Sequence, residues 1–160
     1  MGASDTLKDA PAKGKPAFAA DPKLVERIAA LASGRQSVSW NHLRGDEDFK
    51  ANGLRSYARY RDLGVAESTG GLVHAHVVRM VPPCPDEARK VHLHATVFQM
   101  IYVLKGWAKV QFEGHEPEVM RAGTCWTQPP SIKHAVLDYS GDFEALEILL
   151  PADFDTVTLG

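Results

Sequence analysis

The stretch His92-Leu93-His94-Ala95-Thr96-Val97-Phe98-Gln99-Met100-Ile101-Tyr102-Val103-Leu104 decides how the rest of the chain is read. In an extended backbone successive side chains point to opposite faces. His92 and His94 therefore share a face, two imidazoles within reach of one cation. From residue 97 onward, Val97, Gln99, Ile101 and Val103 fall on one side and Phe98, Met100, Tyr102 and Leu104 on the other. Both sides are apolar except at Gln99. A strand apolar on both faces is covered on both: a barrel interior takes one side, and a second sheet, an N-terminal helix or another subunit takes the other. A homodimer is one expectation that follows.

Working outward, short segments rich in Val, Tyr, Phe, Trp, Ile and Thr, punctuated by Gly and Pro, continue in both directions. Strands are predicted over 55–62, 72–81, 92–94, 97–104, 107–113, 124–128, 134–139 and 143–150. No helical segment separates them, which excludes a parallel βαβ arrangement and points to an all-β sandwich or barrel. Ahead of them, Asp21-Pro22 reads as an N-cap followed by proline in the first turn, and Leu24, Val25, Ile28, Ala29, Leu31 and Ala32 recur at helical spacing up to Gly34. Residues 1–20 mix Ala, Pro, Lys, Gly and Asp without periodicity, which predicts a mobile arm. The chain divides into this arm at 1–20, a helical extension at 21–54 and a β domain at 55–160.

With 160 residues, 44% hydrophobic and 24% charged, the composition is that of one globular domain, not of a fibrous or disordered chain. Eighteen basic side chains against twenty acidic ones leave a formal net charge of −2. That lacks the single-sign field which attracts nucleic acid or an anionic membrane surface, so neither partner is expected. No apolar run reaches the roughly 18 residues of a spanning helix, and no signal-peptide apolar segment opens the chain, so a cytoplasmic location is expected. The two cysteines, Cys84 and Cys125, imply neither a disulfide framework nor a thiolate zinc site. Cys125 reads as a small core residue, and Cys84, within Pro82-Pro83-Cys84-Pro85, as a loop residue.

A third imidazole, His134, opens a later strand after the turn-forming Pro129-Pro130-Ser131. Three neutral nitrogens and the amide oxygen of Gln99 would hold a divalent metal and leave two positions of an octahedral shell open. Nitrogen donors of this kind suit Fe, Ni, Cu and Zn better than Mg or Ca. Gln99 has three readings: a ligand, a hydrogen-bond partner of metal-bound water, or a satisfied core amide.

These residues carry a family resemblance. His92-x-His94-x4-Gln99-x6-Gly106 resembles the first cupin motif, and Gly123-x5-Pro129-x-Ser131-x2-His134-x3-Asp138 resembles the second, with sixteen residues between Gly106 and Gly123. The resemblance spans 72–151. It implies a cupin double-stranded β-helix, a jelly-roll barrel, over 55–160 with a short N-terminal helical extension, and a dimer. It further implies one divalent transition metal per chain, Fe(II) foremost with Ni, Zn, Mn and Cu as alternatives. The activity implied is a dioxygenase cleaving a small enolisable substrate, such as a β-diketone or hydroxy ketone, with O2. The alternatives are a non-redox metal cupin, isomerase or decarboxylase, and a ligand- or metal-binding cupin without turnover. The chain departs from the pattern at Asp86, Ser131 and Asp138, where the family usually has Gly, Gly and Asn, and at Gln99, where most metal-binding members have Glu. An amide there leaves a dication its full charge, which favours an anionic bidentate ligand.

Glu147 is the lone charge on the face shared by Phe143, Ala145 and Leu149. If that face is buried, burial raises its pKa and suits it to proton transfer; if the opposite face is buried, it meets solvent. His74 and His76 repeat the His-x-His spacing without a second motif and read as ordinary strand histidines. Arg55, Arg59, Arg61 and Arg79 either position an anion or form a solvated face. Tyr102, Trp107, Phe112 and Trp126 read as core.

Overall fold

The computed structural model describes Leu7 and residues 18–51 and 55–159. Among the described residues ten strands follow one another: β1 (Ala58–Asp62), β2 (His74–Met80), β3 (His92–Ala95), β4 (Phe98–Lys105), β5 (Trp107–Phe112), β6 (Glu118–Arg121), β7 (Cys125–Thr127), β8 (His134–Tyr139), β9 (Glu144–Leu150) and β10 (Asp155–Thr158). They form two five-stranded sheets of order β1-β2-β9-β4-β7 and β10-β3-β8-β5-β6, with antiparallel pairing throughout. The architecture is the expected jelly roll. Eight strands occupy the predicted segments; β6 and β10 are additional.

Alternation along the strands builds the interior. Gln99, Ile101 and Val103 of β4, Ala145 of β9, Ala108 and Val110 of β5 and Tyr139 of β8 are all buried, as opposed inner faces of a two-sheet structure require. Tyr139 also donates its hydroxyl to the carbonyl of Val81 at 2.8 Å, so its polar end is satisfied. The outer face of β4 departs from expectation. Phe98, Tyr102 and Leu104 are 38%, 39% and 43% exposed, and Tyr102 is therefore not core. Cys125 pairs across from Tyr102 on β7, the last strand of its sheet, and is exposed as well; Cys84 is the one that packs, partly buried, against the core.

The two motif glycines sit where the chain crosses between sheets. Gly106, at φ 65°, is the single residue between β4 and β5. Gly123, at φ 89°, lies between β6 and β7. The corners are stitched together, since Ala122 N–H donates to Gly106 C=O (3.0 Å) and Gly123 N–H to Val103 C=O (2.9 Å).

Outside the sheets, α1 (Pro22–Ala32) starts as predicted, with the Asp21 side chain accepting from the Lys23 N–H. None of its residues is fully buried. A 3-10 turn at Asp46–Asp48 follows, and Lys50 exchanges two 2.8 Å backbone bonds with Tyr60, which ties the extension to the edge of β1. A short α2 (Val65–Ser68) joins β1 to β2. The arm expected over 1–20 lies outside the described residues except for Leu7 and 18–20. Leu7 is buried with Val91 and Ala135, and its carbonyl accepts the Gly114 N–H at 3.0 Å. Among the described residues no helix is long and apolar enough to cross a membrane.

Candidate metal centre

β3 presents His92 and His94 on its inner face, and the register pairs His92 directly with His134 at the start of β8. The turn ahead of His134 is pinned to β3, because Ser131 N–H donates to the carbonyl of His94 (3.1 Å). The three imidazoles are 6%, 7% and 5% exposed, and each offers a ring nitrogen within 4.8 Å of the others. Their far sides are occupied. His92 Nδ1 donates to Lys90 C=O (3.0 Å), His134 Nδ1 donates to Ile132 C=O (3.0 Å), and His94 Nδ1 is hydrogen-bonded to Thr156 Oγ1 at 2.9 Å. A hydrogen held on Nδ1 leaves the Nε2 lone pair as the donor atom, so His92 and His134 are pre-set to ligate through Nε2, although on His134 the Gln128 amide nitrogen faces that lone pair at 2.9 Å.

Burial also settles their charge. Desolvation, with Arg55 adding repulsion, lowers the His92 pKa to about 4, and desolvation lowers that of His94 to about 4 despite the nearby Glu147. His134 is held well below the ordinary value, first by burial and then by His92 and His94. At neutral pH all three are neutral, the state a metal requires.

Gln99 lines the same cavity and is 2% exposed. Its Nε2 donates to Glu147 Oε1 at 2.6 Å, whereas its Oε1 is buried without any hydrogen-bond partner. A buried amide oxygen left unpaired is costly, and a cation among the three imidazoles would supply what it lacks. The donor set therefore fits a metal. Glu147 itself faces inward, as one of its two readings required, but its pKa moves opposite to expectation. Burial pushes it up; hydrogen bonds from His76 and Gln99 and the charge of the histidines outweigh that and hold it at about 2. His76 donates through Nε2 to Glu147 Oε2 (2.6 Å), and its Nδ1 lies 2.7 Å from His74 Nε2. The second His-x-His pair is thus wired to the centre through Glu147.

Of the four arginines only Arg55 reaches the cavity. Like His92, it lines both the inner space of about 80 Å³ and another of about 190 Å³. Arg59 and Arg61 donate to Ser56 and Ala58 carbonyls and to Asn41, and Arg79 bonds Glu144 and Asp46. Trp126 lines the inner space with its indole N–H buried and unpartnered. Two site residues went unforeseen. Thr156 belongs to β10, whose Thr-Val-Thr run is a β-branched signal, and Gln128, with Nε2 2.9 Å from His134 Nε2, was visible only as a polar residue before Pro129.

Residues 81–149 match the cupin domain family model. No curated protein matches the chain by sequence. Among solved structures, KdgF from Halomonas sp. is 16% identical and superposes over 72% of this chain and 94% of its own with a TM-score of 0.56. The polyketide cyclase RemF from Streptomyces resistomycificus is 15% identical over 75% of this chain and 86% of its own, TM-score 0.56. Salicylate 1,2-dioxygenase from Pseudaminobacter salicylatoxidans is 9% identical, TM-score 0.53, over 66% of this chain but only 31% of its own. At these identities the likeness is one of fold. The two-sheet fold is in keeping with the match of residues 81–149 to the cupin domain family.

Proposed function

We propose that the chain is a mononuclear non-haem iron dioxygenase that takes a small enolisable substrate, such as a β-diketone or hydroxy ketone, as its anion. The observation that supports this best is the convergence of three neutral imidazoles, each with Nδ1 tied back, on a cavity that also holds the unpaired Oε1 of Gln99. His92, His94 and His134 would hold the ion. Bound there, it would supply Lewis acidity toward an enolate and redox chemistry toward dioxygen. Arg55, which lines the cavity, offers a cation to an anionic substrate. Ile101, Val110, Trp126 and Phe143 wall the space, excluding water and strengthening each electrostatic contact inside. The volume admits only a small ligand. That salicylate 1,2-dioxygenase shares the fold is in keeping with this reading; that a polyketide cyclase shares it keeps a non-redox reading, isomerase or decarboxylase, as the alternative.

The test is metal content of protein purified without chelator, then oxygen uptake of the iron-loaded form against a panel of β-diketones and hydroxy ketones. Near-stoichiometric iron and uptake on at least one compound are expected, and His134→Ala is expected to lose most bound metal and all turnover. A His134→Ala protein that kept both would overturn the assignment. Iron bound without uptake on any compound would favour the non-redox alternative.

A further inference from the structure

The pair His76–Glu147 has no place among the candidate ligands, yet it is hydrogen-bonded on both sides. Glu147, with its side chain 19% exposed, uses both oxygens: Oε1 takes the Gln99 Nε2 hydrogen and Oε2 the His76 Nε2 hydrogen, each at 2.6 Å. His74 backs His76 at 2.7 Å. The register puts these groups together, since β9 runs between β2 and β4 with His76 opposite Glu147 and Gln99 opposite Leu149, one inward position along.

A carboxylate accepts and does not donate, so it imposes one orientation on the amide it touches. With Nε2 toward Glu147, Oε1 is turned the other way; the flipped amide would set oxygen against oxygen at the same distance. We propose that Glu147, itself held by His76 and His74, is a positioning residue that commits the Gln99 amide to offering Oε1 to the metal. This deepens the metal-centre reading and rests on it. The centre then has a neutral oxygen ligand with a carboxylate directly behind it, so the charge that an amide ligand leaves uncompensated is offset one residue further out. Outer partners of this kind orient and tune metal ligands. His74 and His76 acquire a function: both line a separate surface cavity of about 700 Å³ with Tyr60 and Asp62, and they hold Glu147 from that side.

The test compares wild type, Glu147→Gln, and the exchange Gln99→Glu/Glu147→Gln, with Co(II) as the probe. Co(II) affinity is measured by equilibrium dialysis, the coordination by the visible spectrum of the Co(II) protein, and the Gln99 side-chain amide by NMR without metal. Glu147→Gln is expected to weaken Co(II) binding about 10- to 100-fold, to change the Co(II) spectrum, and to move the Gln99 amide resonance. The exchange variant, which restores a carboxylate–amide pair in the reverse order, is expected to recover affinity. A folded Glu147→Gln with wild-type affinity, spectrum and Gln99 resonance would overturn the proposal while leaving the metal centre intact. Should Glu147→Gln not fold, the exchange variant decides, and failure to recover fold and affinity together would overturn it. Wild-type protein that takes up no Co(II) would instead sink the metal-centre reading, and this proposal with it.

Discussion

Keeping His92 and His94 neutral down to about pH 4 has a consequence in acid. In the unfolded chain the same side chains titrate near 6.5. Between pH 6.5 and about 4 the unfolded state therefore takes up protons that the folded state refuses, and stability falls with pH by at most about 1.4 kcal/mol per pH unit for each histidine. His134, lowered further, acts in the same direction. Glu147 adds its own loss only below 4.5, as pH falls toward about 2, so the interval from 6.5 to 4.5 isolates the imidazoles. Urea unfolding in the presence of chelator is expected to show stability declining from pH 7 to pH 5, and saturating Co(II) is expected to raise the midpoint at each pH, because a ligand that binds only the folded state stabilises it. A flat profile in chelator would contradict the burial of the three rings. The imidazoles were legible in the sequence because their spacing translates directly into one face of a strand. The sign of the Glu147 shift was not, because it depends on His76, seventy-one positions away, and no local pattern announces that β2 and β9 are neighbours.

Among the elements, the connections between strands discriminate more sharply than the strands themselves. A Cβ on Gly106 would press on Ser140 and lie 2.6 Å from Asp142 Oδ1 and 3.1 Å from the Phe143 Cα, whereas one on Gly123 meets nothing within 4 Å. Both have positive φ. Gly123→Ala should then cost only the backbone term, about 1 kcal/mol, and Gly106→Ala on the order of 3 kcal/mol, since overpacking adds to it; chemical denaturation of the two variants would show equal losses if the corner packing were unimportant. Ser131 is the informative departure from the family pattern. It keeps the positive φ, 59°, that a glycine would adopt freely, so Ser131→Gly is expected to be neutral or to stabilise by up to about 1 kcal/mol, leaving the Ser131 N–H bond to His94 in place. The strands that escaped the sequence reading share a physical reason. All four residues of β10 are exposed, and β6 has three of four exposed, so neither carries the burial alternation by which a strand is recognised.

At the scale of the whole molecule, the apolar outer face of β4 is the unresolved consequence of the pattern from which the fold was read. The inner face is covered by the opposing sheet, as a two-sided apolar strand demands. Among the described residues the outer face is not: Phe98, Tyr102 and Leu104 stay more than a third exposed, and the adjoining residues Leu146, Ile148 and Leu150 of β9 pair beside them, extending the apolar surface across two strands. Contiguous surface of this kind marks an interaction site, and we propose a second copy of this chain as its occupant, giving the homodimer anticipated from the alternation in 97–104. Because Tyr102 points away from the metal cavity, replacing it tests assembly without touching the centre. Sedimentation is expected to show a dimer for the wild type at micromolar concentration and a monomer for Tyr102→Glu, with the Co(II) spectrum unchanged in the variant. A monomeric wild type, or a Tyr102→Glu protein that still dimerises, would place the cover of this face elsewhere.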